Sequence, residues 1–161
     1  MTSPSHQFTV NEICFELLLV EVSGANNRFS AKLKPTDRGE LSPLCYAIST
    51  CWSRERFIDL VVERAGLGIE GATGFFFYKP DEDDGTPPPE LRVEIKEGQR
   101  GVIAYYFEDD IEVSVGFFVK LVSAFSHLCL DKGIVGGVTR ESLKLLEKSF
   151  ASEISDRSVS E

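Results

Sequence analysis

Carboxylates gather at two places in this chain, and each invites a different chemistry. Asp81, Glu82, Asp83 and Asp84 form the first group, followed by Gly85 and by Pro87, Pro88 and Pro89. A calcium loop of the EF-hand kind needs Gly at its sixth position and Glu at its twelfth, and counting from Asp81 these positions hold Thr86 and Arg92. Calcium chemistry is therefore not expected there. The proline run instead holds the chain extended and lowers the ordering cost of presenting carboxylates to another molecule. The second group is Glu108, Asp109, Asp110 and Glu112. Its place before an apolar helical stretch gives part of it a structural use, because acids near a helix N-terminus interact favourably with the helix dipole. Tyr78, Tyr105 and Tyr106 lie next to these groups in sequence. Aromatic rings that anchor, beside charges that steer, are the mixture used at protein interfaces.

Nucleophilic chemistry is poorly supplied. Only His6 and His127 offer an imidazole, and His6 falls in a polar stretch near the N-terminus. His127 and Cys129 are two apart on an expected helix, so they point to different faces and cannot form a dyad. Cys14, Cys45, Cys51 and Cys129 show no CxxC pair and no zinc-ligand spacing, and each sits in or beside an apolar run as a small core residue would. Gly66, Gly68, Gly71 and Gly74, and later Gly133, Gly136 and Gly137, fit neither GxGxxG nor GxxxxGK[ST] and read as helix ends and turns. Trp52 beside Cys51 reads as core. No cofactor and no metal site is expected, and the chain is not expected to be an enzyme.

The elements that must position these residues follow from periodicity. Residues 13–22 are apolar enough for a mostly buried strand, and 28–34 alternate as a half-exposed one, so the two predict a hairpin ended by Pro35. Ser42 and Pro43 predict a helix start, with Leu44, Ile48, Cys51, Ile58, Val62 and Ala65 on its apolar stripe and a break into two helices near Ser49, Thr50 and Ser53. Residues 75–78, 91–96 and 102–107 read as three strands of a meander. If so, both acidic groups come to one edge of the sheet. Residues 114–132, with Phe117, Phe118, Leu121, Val122, Phe125 and Leu128 on one stripe, predict the core helix, and a last amphipathic helix is expected from Thr139 with Leu143, Leu146, Phe150 and Ile154 inward. The expected fold is α+β, a mainly antiparallel sheet of about five strands with three to four helices packed on it. One domain should span 1–161, with 1–10 and 155–161 as flexible ends.

Composition bounds the function. The 161 residues are 42% hydrophobic with 12 phenylalanines, enough for a core, and 17 basic against 26 acidic residues give a net charge of -9. Such a surface repels phosphate, so no direct nucleic-acid binding is expected, whereas a basic protein partner would be steered towards it. No apolar run is long enough to span a membrane, no secretion signal precedes Val10, and reduced thiols fit the cytoplasm.

With its acidic proline-rich segment YKPDEDDGTPPPE and its strand-to-helix segment AYYFEDDIEVSVGFFVKL, the chain resembles the immunity proteins of bacterial contact-dependent inhibition and related polymorphic-toxin systems. That resemblance implies a cytoplasmic antitoxin that binds a cognate toxin domain, often a basic nuclease, and blocks its active site or substrate groove. The partner-binding residues expected are Asp81, Glu82, Asp83, Asp84, Glu108, Asp109, Asp110 and Glu112, with Tyr78, Tyr105 and Tyr106. A non-inhibitory adaptor or chaperone module is the alternative, and a small enzyme of unrecognised type a third. The oligomeric state is left open.

Overall fold

A computed structural model describes residues 5–21, 29–78, 92–93, 95, 101–134 and 136–154. The chain is α+β, as expected, but its strands divide into two sheets. The first is an antiparallel meander of β1 (Ser5–Val10), β2 (Ile13–Glu21) and β3 (Phe29–Pro35). The second has the order β4-β5-β7-β8-β6, formed by β4 (Leu67–Ile69), β5 (Thr73–Phe77), β6 (Arg92–Val93), β7 (Val102–Tyr106) and β8 (Asp109–Val113).

β1 corrects the expectation of a loose start for residues 5–10. Phe8 and Val10 alternate towards the core, and Asn11 and Glu12 both take positive φ (50° and 68°), the geometry of a two-residue hairpin turn into β2. β2 and β3 pair as the sequence predicts, Leu17 opposite Leu33.

A helix keeps the two sheets apart. α1 (Ser42–Trp52), entered through a 3-10 turn at Gly39–Leu41, buries Leu44, Cys45, Ala47, Ile48, Cys51 and Trp52 and contacts β3 on one side and β5 and β7 on the other. The amide of Leu33 donates to Ser49 Oγ at 2.8 Å, and that hydroxyl donates on to the Cys45 carbonyl. A side chain of α1 thus occupies an outward donor of β3 that another strand would need. The expected break gives α2 (Phe57–Val62).

The second sheet departs from a meander in one respect. β5 pairs directly with β7, and the short β6 runs parallel to β8 at the sheet edge. β8 is a strand where only an acidic link between the last strand and the core helix was expected. Ile111 and Val113 are fully buried, and their packing outweighs the poor strand propensity of the acids between them.

α3 (Val115–Asp131) is capped by Ser114, whose Oγ accepts from the Phe117 amide at 3.1 Å, and it carries Phe117, Phe118, Val119, Leu121, Val122 and Phe125 inward. Phe118 meets Phe75 and Phe77 of β5 with ring centroids 5.2 and 6.1 Å apart. Trp52 Nε1 donates to the buried Ser126 Oγ at 2.8 Å, which ties α1 to α3. α4 (Arg140–Ser149) begins with a reciprocal capping box between Thr139 and Ser142 and buries Leu143 and Leu146, with Phe150 just beyond them stacked on Phe77. Arg64 lies over the Phe150 ring at 4.6 Å and pairs with Glu153. Residues 155–161 lie outside the described residues, and among the described ones no helix is long and apolar enough to cross a membrane.

Candidate functional site

The turn between β7 and β8 is two residues long, Phe107 and Glu108. Only Phe107 takes a positive φ (54°), at the first position of a hairpin turn where glycine is normally preferred. Its amide donates to the Ala72 carbonyl at 2.6 Å, but its ring stays in solvent and is 66% exposed. A large apolar ring in a strained and exposed position contributes little to packing.

Phe107 belongs to a group of three rings. Its ring meets Tyr106 edge-on at 4.7 Å, and Tyr106 lies against Tyr46 of α1 at 4.0 Å. Tyr46 is itself 46% exposed. Desolvation, followed by the neighbouring Tyr46 hydroxyl, pushes the Tyr106 phenol above its ordinary pKa.

Carboxylates border these rings. The N-terminal turn of α1 and the β7–β8 turn enclose a cleft of about 310 Å³, lined by Gly39, Glu40, Ser42, Pro43, Glu108, Asp109 and Asp110. Glu40 accepts a 2.7 Å hydrogen bond from Arg38 Nε, and that guanidinium holds its carboxyl below the usual range. Among the described residues no cation pairs with Glu108, Asp109 or Asp110. Three adjacent acids with no compensating charge repel one another, which disfavours the fold slightly and favours any cation brought to them.

The expected binding residues separate on this framework. Glu108, Asp109 and Asp110 line one cleft, and Tyr106 stands opposite Asp109 in the β7–β8 ladder, while Asp110 stands opposite Tyr105. Tyr105 points to the opposite face of the sheet from Tyr106, as adjacent strand residues must, and its hydroxyl lies over Gly68 and Gly74, where any Cβ would fall 2.7 and 2.8 Å from it. Tyr78 stands at the other end of the ladder. Because β5 and β7 are antiparallel, Phe77 pairs with Val102 while Tyr106 pairs with Thr73, four steps or roughly 13 Å away. The strand geometry assumed for a shared acidic edge is therefore reversed, since the chain leaves β5 at the end opposite to Glu108. Asp81, Glu82, Asp83 and Asp84 lie outside the described residues.

Glu112 needs a correction. It is fully buried in β8 and accepts a 2.8 Å hydrogen bond from the Gly101 amide, so it supports the sheet from within and presents nothing to a partner. Nor does any of these acids cap α3, whose first turn holds no acidic residue.

Glu40, Tyr46 and Phe107 were not singled out from sequence. Tyr46 had one legible sign: it is an aromatic residue lying off the apolar stripe of its own helix.

The other polar cluster joins α3 to α4. Ser123 Oγ donates to Glu147 Oε2 at 2.6 Å, and His127 Nε2 lies 3.0 Å from the same oxygen. The carboxylate stands between hydroxyl and imidazole, so His127 is not placed to take the Ser123 proton, and the arrangement works as a tie between helices. Cys45, Cys51 and Cys129 are buried, and burial pushes the thiols of Cys51 and Cys129 up to about 12 and that of Cys45 higher still. Neutral, enclosed thiols are poor nucleophiles. No family model, no curated protein and no solved structure matches this chain.

Proposed function

We propose that this chain is an immunity-type inhibitor, which binds a basic protein stoichiometrically and neutralises it through the edge formed by Tyr46, Tyr106, Phe107, Glu108, Asp109 and Asp110. The observation that carries this reading is Phe107, an exposed ring in a strained turn beside three carboxylates that pair with no cation among the described residues. Strained residues of this kind cluster at functional sites. Rings of this type anchor an interface, while the surrounding charge accelerates encounter with a cationic surface and rejects acidic ones. The net charge of -9 adds long-range steering in the same sense. A toxin domain that grips nucleic acid through basic side chains would offer the matching surface, and carboxylates would take the place of phosphate on it.

Capture from native cells tests the reading. The wild-type chain should retain a basic protein domain at low salt and release it as salt rises, and a chain with Glu108, Asp109 and Asp110 each changed to Lys should not retain it. The retained domain should lose its activity in the complex. Retention that resists salt and survives the charge reversal would refute the proposal, and a retained partner that keeps full activity would point to an adaptor instead.

A further inference from the structure

The three-ring surface lies next in sequence to the residues that line the acidic cleft, and the two features together suit one kind of cationic side chain. Lysine carries a compact, strongly hydrated ammonium, which gains least from aromatic faces. Arginine carries a planar, weakly hydrated guanidinium that stacks on rings and offers a fork of donors to carboxylates. Tyr106 and Tyr46 pack on each other with centroids 4.0 Å apart, Phe107 packs edge-on against Tyr106, and Tyr46 and Phe107 remain exposed. Asp109 lies opposite Tyr106 in the β7–β8 register, so a carboxylate stands directly beside that ring pair. Glu108 and Asp110 continue the acid into the cleft, while Ser42 and Pro43 form its other wall one helical turn before Tyr46. Glu40 of the same cleft pairs with the Arg38 guanidinium at 2.7 Å, so the carboxylates left to a partner are those of the β7–β8 turn.

We infer that this edge takes an arginine side chain of the partner, its guanidinium lying against the Tyr46–Tyr106 pair with its donors directed to Asp109 and Glu108. The inference rests on the proposed function and specifies the anchor residue within it. The ring pair confers the preference for arginine, and the carboxylates confer the requirement for charge.

Nuclear magnetic resonance titration of the isotope-labelled full chain tests this with three probes: N-acetyl-arginine methylamide, the matching lysine compound and the uncharged citrulline compound. The arginine probe should shift the signals of Tyr46, Tyr106, Phe107 and Asp109, and should bind about threefold more tightly than the lysine probe. Citrulline should leave them unmoved. Tyr46→Ser should bring arginine down to the affinity of lysine, and Asp109→Asn should weaken both cations together. Tyr46 is about half exposed and Asp109 is exposed, so both variants should keep the fold, and an unchanged amide spectrum elsewhere checks this. Equal binding of lysine and arginine at this edge would overturn the arginine assignment while leaving the acidic surface in place. Shifts confined to other parts of the chain, or no shift with any probe, would also overturn it. Failure of the wider proposal is read separately, from retention that survives charge reversal.

Discussion

Phe107→Gly separates a functional ring from a structural one. With the ring 66% exposed, about a third of a side chain of roughly 200 Å² is covered, which amounts to ~70 Å² and about 1.7 kcal/mol of burial lost. Glycine's greater backbone entropy costs about 0.5–1 kcal/mol more. Against this, a left-handed conformation costs a residue with a Cβ about 1–2 kcal/mol, which glycine recovers. The sum is a destabilisation of about 1 kcal/mol, or a fall in Tm of roughly 3 °C for a chain of this size. Truncating the fully buried Phe118 to Ala should cost about 3–5 kcal/mol, or roughly 10 °C or more. Thermal unfolding followed by circular dichroism distinguishes these outcomes. The same Phe107→Gly variant should lose about 2 kcal/mol or more in partner affinity, near 30-fold, if the ring anchors the interface. A Tm loss as large as that of Phe118→Ala would make the ring structural, and undiminished retention of the partner would remove it from the interface; either result refutes the reasoning.

Other consequences follow from the interior. Ser126→Ala strands the buried Trp52 Nε1–H and should cost about 1–3 kcal/mol, seen as a lower denaturation midpoint with changed fluorescence of the single tryptophan. Cys14 is half-buried while the other thiols are enclosed, so a native-state thiol count should find only Cys14 reactive, and all four cysteines should react after unfolding. Glu147 has its pKa lowered, first by the Ser123 hydroxyl and also by His127, so its contribution to stability is present above the ordinary glutamate value of about 4.3 and fades as pH falls through the lower folded value. Glu147→Gln should therefore flatten that part of the acid limb in a stability-against-pH series, and an unchanged limb would show that the tie between α3 and α4 contributes nothing there.

The helices and their ends could be read from sequence because the signals there are local. Ser114 and Thr139 cap α3 and α4 where their hydroxyls fall, and the stripes of Phe117, Leu121 and Phe125 and of Leu143, Leu146 and Phe150 specify the buried faces. β8 could not be read in this way, because Asp109, Asp110 and Glu112 have poor strand propensity and only the burial of Ile111 and Val113 makes the segment a strand. Glu112 misleads for the same reason: an acidic residue reads as surface until the Gly101 amide is found against it. The division into two sheets places α1 against β3, with Ser49 reaching the Leu33 amide, a contact 16 residues apart that no periodicity encodes. At the site, the acids of the β7–β8 turn were visible as a run. Their neighbours Tyr46 and Glu40 arrive from a different element, and the exposure of Phe107 follows from a turn geometry that the YYFED segment does not announce.

Site-specific photo-crosslinking in native cells tests the central claim most directly. A benzoylphenylalanine placed at position 107, with a second placed at the exposed position 145 of α4 as control, should give a covalent adduct to a basic protein from 107 and none from 145. An adduct formed only from 145, or one from 107 to an acidic protein, would contradict the account.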